Sequence, residues 1–136
     1  VYWIIRQPET AVYTMKGLVL NLGLKSIRAI IFNLDGEIIT SAFEQITTFL
    51  NKDYVEQDPE EWWAKGLKCI KEVLKKEKDI DFITVTASAS CLIPIKSDGT
   101  CLMNAIMVSD KRASKEANFI EKSTSRNFQP YFTTQG

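Results

Sequence analysis

The chain has 136 residues, of which 45% are hydrophobic and 25% charged, an ordinary composition for a single globular domain. Its 17 basic and 17 acidic side chains cancel, so nonspecific nucleic-acid binding is disfavoured, and its uncharged apolar runs are too short to span a bilayer. It contains no histidine, which excludes Ser-His and Cys-His nucleophile pairs and leaves Asp, Glu, Lys or Tyr as general bases.

Three strands are predicted in close succession near the start of the chain. Residues 18–22 and 27–32 are continuous apolar runs of the kind found in buried strands, and a loosely alternating pattern at 37–47 predicts a third strand. Asp35-Gly36 before the third strand is a hairpin signal.

The turn between the first two strands, residues 21–26, reads Asn-Leu-Gly-Leu-Lys-Ser. It combines a glycine with amide and hydroxyl side chains. Backbone N–H groups at such a turn converge on one point and attract anions. We therefore predict a phosphate-binding turn, with its N–H groups facing the open end of the sheet.

A helix is predicted after a connection at 48–57. Asp58 is the expected N-cap, and Glu61 is expected to complete a capping box with it. The helix is predicted to end near residue 76. Its apolar stripe consists of Trp63, Leu67, Ile70 and Leu74 and is widened by Trp62 and Val73. Gly66, in the helix interior, suggests close backbone packing there.

The second half of the chain is predicted to hold three further strands and a second helix. The strands are expected at 80–86, 91–95 and 101–108, and the helix at 111–122. The tail 123–136 has no periodicity and is predicted to be irregular. Residues 1–14 are interpreted either as a leader or as an added strand, since VYWII has high β propensity.

Three cysteines are present, Cys69, Cys91 and Cys101. Their odd number and the absence of a C-x-x-C pair disfavour a disulfide framework. We expect three buried free thiols and a cytoplasmic protein.

The element order β-β-β-α-β, followed by a hairpin and a helix, predicts an α/β fold with a mixed sheet. The ribonuclease H-like and actin-like ATPase folds share this order. A nuclease of the first kind needs clustered carboxylates on strands for two metal ions. Asp35 and Asp110 alone do not make such a cluster, so the nuclease reading is disfavoured.

Three motifs follow one another in the chain: NLGLKSIRAIIFN at 21–33, VEQDPEEWW at 55–63 and SDKRA at 109–113. The first resembles D-x-G-T-T/S-S-x-R/K-A-x-x-F-D, the second W-V-E-Q-D-P-E-x-W-W and the third W-x-D-x-R-A. All three patterns belong to the N-terminal domain of the FGGY carbohydrate kinases, which residues 18–113 therefore resemble.

The resemblance implies an actin-like ATPase fold and phosphoryl transfer from ATP, with Mg²⁺, to a sugar or polyol hydroxyl. Residues 15–122 would be a partial, truncated N-terminal kinase domain. The family's catalytic aspartate and its nucleotide lobe lie beyond the matching residues, so no catalytic residue is assigned. We expect the isolated chain to be inactive.

The resemblance also implies a set of site residues. On the cofactor side these are Asn21, Gly23, Lys25 and Ser26, with Asn21 at the metal position, and on the sugar side Ser88, Ser90 and Asp110. The chain departs from the family at several of them. Asn21 replaces an aspartate and offers Mg²⁺ an oxygen without a charge. Leu24 and Lys25 replace two hydroxyl residues, and small side chains at 86–91 replace long polar ones.

These departures keep a second hypothesis open, a non-catalytic, degenerate kinase-like module for binding or assembly. The partners expected are a sugar or polyol in the full-length protein, and either a second copy of the chain or the remainder of the kinase. Neither nucleic acid nor membrane is expected as a partner.

Overall fold

The computed structural model describes residues 14–123, which contain seven strands and two helices. In chain order the elements are β1 (Lys16–Leu22), β2 (Ser26–Asn33), β3 (Ile38–Gln45), β4 (Phe49–Asn51), β5 (Tyr54–Gln57), α1 (Pro59–Leu74), β6 (Phe82–Ala87), β7 (Ala105–Ile106) and α2 (Ser114–Ser123). Strands β1, β2, β3 and β6 and helix α1 were predicted. The predictions for 1–13 and 124–136 lie outside the described residues.

The larger sheet has the strand order β3-β2-β1-β6. β2 is antiparallel to both β1 and β3, whereas β6 is parallel to β1. This mixed sheet confirms the predicted α/β fold class. Because β1 and β6 run in the same direction, their carboxyl ends meet at one end of the sheet.

One face of this sheet packs against α1. Alternate residues of a strand point to the same face, and the register places Leu18 opposite Ile31 on the covered side. Both are buried, together with Ala29 of β2 and Cys69 and Val73 of α1. These five side chains form a hydrophobic core cluster between the sheet and the helix.

Asp58 caps α1 as predicted. Its carboxylate accepts a hydrogen bond of 2.9 Å from the N–H of Glu60. The predicted capping box is wrong, because the carboxylate of Glu61 accepts instead from the N–H and the hydroxyl of Thr47, at 3.0 and 2.9 Å. Glu61 therefore ties the start of the helix to the end of β3.

The apolar stripe of α1 is buried only in part. Val73 is buried and Ile70 and Leu74 pack against the core as predicted, whereas Trp63 is 65% exposed. Gly66 and Cys69 are buried instead, so the buried face is rotated away from Trp63. The helix packs mainly over β2 and β3, so Trp63 faces a groove that Val85 of the edge strand β6 also lines. The sequence shows which residues are apolar, but not where the helix axis crosses the sheet.

The connection predicted at 48–57 contains a hairpin of β4 and β5. It reverses at Lys52, which has a φ of 54°. β5 pairs in turn with β7, so a small second sheet with the order β4-β5-β7 stands beside the larger one.

The strands predicted at 91–95 and 101–108 are wrong as continuous strands. Pro94 interrupts the first, since proline has no N–H to give to a ladder. What remains of both is the short β7 and two isolated bridges, Leu92 with Ile106 and Ile95 with Cys101.

The prediction that all three thiols are buried is confirmed for only one cysteine. Cys69 is buried, and burial raises the pKa of its thiol. Cys91 and Cys101 are only half-buried, because both lie in the irregular segment around these bridges. All three are free within the part of the chain that the structure describes.

Helix α2 begins three residues later than predicted and buries none of its residues. Within residues 14–123, neither helix has the length and apolarity required to cross a bilayer.

Candidate functional site

The turn between β1 and β2 lies at the carboxyl end of β1. The N–H of Gly23 donates to the carbonyl of Ser26 at 3.0 Å, which closes the turn. The N–H of Ile46 donates to the carbonyl of Lys25, also at 3.0 Å. The side chains of Leu24 and Lys25 are exposed at the tip. Because the Gly23 N–H already donates to Ser26, an anion would contact the exposed tip at Leu24 and Lys25 rather than this N–H.

Gly23 is required by a close approach of backbone. A Cβ atom at this position would lie 3.0 Å from the carbonyl oxygen of Ser26 and 3.4 Å from Oδ1 of Asn21. A side chain here would therefore require the Ser26 carbonyl to shift by a few tenths of an ångström.

Asn21 lies on β1, between two neighbours in register. Arg28 of β2 is on one side and Thr86 of β6 on the other. Asn21 offers one neutral oxygen, and the cation opposite it disfavours a second positive charge. Residues 14–123 contain no group of three or more His, Cys, Asp or Glu side chains that could hold a metal ion.

A cavity of about 190 Å³ opens at the carboxyl ends of β1 and β6. This is the end of an open α/β sheet at which ligands bind. Its polar lining residues are Gly23, Gln57, Ser88 and Cys91. Its apolar lining residues are Leu22, Ile46, Trp62, Ala87, Ile93 and Met107.

The cavity brings together two of the predicted site residues, Gly23 and Ser88. Ser88 is fixed by its N–H, which donates to the carbonyl of Leu22 at 3.0 Å. Ser90 lies outside the lining and is exposed, with a φ of 64° that is uncommon for a residue other than glycine. The other predicted site residues, Asn21, Lys25, Ser26 and Asp110, are also outside the lining.

Gln57 is a site residue that the sequence reasoning missed. It is 2% exposed, and its amide donates to the carbonyl of Leu24 at 2.8 Å and to the hydroxyl of Thr48 at 2.9 Å. Its oxygen accepts from the indole N–H of Trp62 at 3.0 Å. Gln57 therefore joins the turn to the start of α1 beneath the cavity. The sequence marks Gln57 only by its place directly before the helix N-cap Asp58, within the second motif, VEQDPEEWW.

Asp110 belongs to a cluster at the second sheet. Its carboxylate accepts from Nε, Nη2 and the backbone N–H of Arg112, at 2.7 to 3.0 Å, and from the N–H of Val55 at 2.7 Å. Arg112 also pairs with Glu56 at 2.6 Å and lies 4.2 Å from the ring centre of Tyr54.

Arg112 holds the pKa of Asp110 well below its ordinary value of 3.8, with the Val55 N–H contributing. A carboxylate has about four lone-pair sites, and four donors occupy those of Asp110. This arrangement supports a positioning role, in which Asp110 joins β5 to the segment after β7. Its contact with a sugar stays a prediction.

Comparison with known proteins identifies the domain. The model of the FGGY family of carbohydrate kinases, N-terminal domain, matches residues 17–135. A glycerol kinase from Rippkaea orientalis is 35% identical over 104 residues, which are 71% of this chain and 21% of that protein.

Two solved structures are similar in fold. The xylulose kinase from Rhodospirillum rubrum has a TM-score of 0.74 at 23% identity, and covers 83% of this chain and 24% of that one. The Plasmodium falciparum glycerol kinase with ADP has a TM-score of 0.71 at 20% identity, and covers 81% and 24%. The chain thus spans about a quarter or less of the length of these proteins. It belongs to the FGGY family of carbohydrate kinases and matches the N-terminal domain of that family.

Proposed function

We propose that this chain is the acceptor-side part of an ATP-dependent carbohydrate kinase, which transfers the γ-phosphoryl group of ATP to a hydroxyl of a sugar or polyol. The observation that supports this most is the cavity at the carboxyl ends of β1 and β6, directly beside the glycine turn, in a chain of this family. The cavity would hold the acceptor, and the tip of the turn would face the phosphate groups.

The roles of individual residues follow from their positions. Gly23 keeps the turn tight, and Gln57 fixes it to α1. Lys25 is exposed at the tip, where its ammonium group would meet a phosphate as a point charge. Ser88 would meet the acceptor from the cavity wall, and Ser90 from its rim.

Phosphoryl transfer requires groups that these residues do not supply. The cavity has no carboxylate in its lining, so a general base for the acceptor hydroxyl would have to come from elsewhere. We propose that Mg²⁺ arrives with ATP and finds its charged ligands outside residues 14–123. The isolated chain would then bind the acceptor without phosphorylating it. A cytoplasmic location fits its free cysteines and the use of ATP.

The proposal can be tested in a chimera. The matching N-terminal residues of the Rippkaea orientalis glycerol kinase are replaced by residues 17–135 of this chain, and ADP release is measured with a panel of sugars and polyols. We expect acceptor-dependent ADP release with at least one of them. A Gly23→Val chimera, in which the side chain strikes the Ser26 carbonyl, should lose it. A folded chimera without turnover on any acceptor, beside an active parent enzyme, would contradict the proposal.

The second candidate is a non-catalytic binding or assembly module. Two observations favour it, the neutral Asn21 opposite Arg28 and the exposed Ile83 and Val85 on an edge strand of the sheet. This candidate predicts a chimera that is folded but inactive. It also predicts that the isolated 136-residue chain forms stable oligomers.

A further inference from the structure

The wall of the cavity is mostly hydrocarbon. Six of its ten lining residues are apolar, and Gly23 contributes only backbone. Apart from the indole of Trp62, the polar side chains on the wall are those of Gln57, Ser88 and Cys91. The thiol of Cys91 is 3.9 Å from the carbonyl oxygen of Ala89.

The side-chain donors of this wall already have protein acceptors. Both amide hydrogens of Gln57 are used, one by a backbone carbonyl and one by the hydroxyl of Thr48. The indole N–H of Trp62 donates to Gln57 at 3.0 Å, and the hydroxyl of Ser88 lies 3.4 Å from the carbonyl of Leu22. The wall can accept a hydrogen bond from a ligand, but the Gln57 amide and the Trp62 indole have no spare donor to offer. The remaining side-chain donors are the Ser88 hydroxyl and the Cys91 thiol, whose contacts of 3.4 and 3.9 Å are long.

Each ligand hydroxyl that enters such a cavity leaves water, where it both donates and accepts hydrogen bonds. A hydroxyl buried without a partner weakens binding by about tenfold or more. A CH₂ or CH₃ group at the same place gains from contact with an apolar wall. The volume of about 190 Å³ is below the roughly 300–1,000 Å³ of pockets for larger ligands, so the ligand is small.

We propose that the acceptor cavity prefers a small alcohol with few hydroxyl groups, a short-chain diol or a deoxy sugar, over a fully hydroxylated sugar. This inference rests on the proposed function, since it names the acceptor class of the same cavity. Its basis is the combination of an apolar wall with an amide and an indole whose donors are already engaged.

The three cysteines provide a direct measurement on the 136-residue chain. Cys91 lines the cavity, Cys101 is half-buried outside it, and Cys69 is buried in the core. The chain is treated with iodoacetamide in increasing propane-1,2-diol or glycerol, and the alkylation rate of each thiol is followed by mass spectrometry. We expect the diol to protect Cys91 at about tenfold lower concentration than glycerol, which has one hydroxyl more. Cys101 should react at an unchanged rate.

A matched pair of variants tests the wall itself. Ile93→Asn places an amide donor on the cavity and should reduce the difference between diol and glycerol to about twofold or less, since the extra hydroxyl gains a partner. Ile95→Asn changes a 58% exposed residue outside the lining and should leave the difference unchanged. If Ile93→Asn fails to fold, 2-deoxy-D-ribose and D-ribose repeat the comparison on the unchanged chain, with the deoxy sugar expected to protect better.

Equal or stronger protection of Cys91 by glycerol and D-ribose would overturn the inference, and so would the absence of protection by every alcohol. These outcomes are separable from failure of the proposed function. Protection by the diol beside an inactive chimera would support the acceptor preference and contradict phosphoryl transfer. Rapid turnover of fully hydroxylated sugars by the chimera, with deoxy compounds as poor acceptors, would contradict the preference and support transfer.

Discussion

Gly17 lies in β1 where two aromatic rings approach the backbone. Phe32 and Phe82 meet edge to face, with ring centres 5.9 Å apart. A Cβ on Gly17 would lie 2.4 Å from the ring of Phe82 and 2.9 Å from that of Phe32. We predict that Gly17→Ala lowers the free energy of unfolding by about 1–3 kcal/mol, because both rings must move. Urea denaturation measures it.

Gly66 provides the matched control. A Cβ there would meet Leu20 at 3.7 Å and Ile27 at 3.9 Å, which are ordinary contacts. The close packing suggested by this glycine in the sequence is therefore found at Gly17 instead. Gly66→Ala should stabilise the chain by about 1 kcal/mol, since alanine favours the helix interior. Equal effects of the two substitutions would contradict the packing described for β1.

The Asp110–Arg112 pair makes a prediction about pH. Asp110→Asn should lower the free energy of unfolding by about 2 kcal/mol at neutral pH, because it leaves the Arg112 charge without its main partner. The folded pKa of Asp110 is depressed, so its contribution is complete above the ordinary value of 3.8 and shrinks as the pH falls toward the folded value. Urea titrations from pH 7 to about pH 3 should show the two proteins converging in acid.

The exposed Glu72–Lys75 pair is the control for this experiment. Glu72→Gln should leave the neutral-pH unfolding midpoint unchanged within error, since exposed ion pairs contribute little. If the difference in unfolding free energy between the unchanged chain and Asp110→Asn grew as the pH fell, the predicted sign of the pH dependence would be wrong.

At the scale of the elements, Gln57 joins the β1–β2 turn to the start of α1. Gln57→Leu should lower the free energy of unfolding by about 2–3 kcal/mol, because the Leu24 carbonyl and the Trp62 indole lose their partner. In the double mutant Gln57→Leu/Trp62→Phe, the loss of unfolding free energy should be smaller than the sum of the two single losses, since both substitutions remove the same hydrogen bond. Strict additivity would contradict the connection.

The elements that the sequence predicted correctly are those with strong local signals. β1 and β2 are continuous apolar runs, and α1 begins at Pro59, directly after its N-cap Asp58. The β4–β5 hairpin was missed because it has three- and four-residue strands and a reversal at Lys52 without glycine. The rotation of α1 and the partner of Glu61 depend on where the helix lies over the sheet, which no periodicity encodes.

The residues that line the cavity were predicted only in part for a similar reason. Gly23 and Ser88 follow β1 and β6, so strand order brings them to one cavity. Ser90 and Asp110 were also predicted as site residues, but both lie outside the cavity lining. Gln57 was missed because its role depends on hydrogen bonds between elements distant in sequence.

At the scale of the whole molecule, β6 is one of the two edge strands of the larger sheet, and its six residues carry no charge. Ile83 and Val85 on it are 68% and 60% exposed. Such an edge pairs readily with another chain. We predict that the isolated chain self-associates in sedimentation, with more than about 1,000 Å² of surface buried in total.

Two variants locate this interface. Val85→Lys should shift the chain toward the monomer, because lysine on an edge strand opposes pairing. Leu50→Lys, at a 74% exposed residue of β4 in the other sheet, should not. A compact monomer at high concentration that binds no dye for exposed apolar surface would rule the association out.

The central claim is that this chain carries the acceptor side of a carbohydrate kinase but cannot transfer phosphate alone. The most direct measurement is the formation of sugar or polyol phosphate by the isolated chain from ATP and Mg²⁺, with pentoses, hexoses, glycerol and short diols. We predict no product above the buffer blank, because no carboxylate lines the cavity to act as the base. Turnover above the blank that disappears when a residue of this chain, such as Gly23, is substituted would contradict the account.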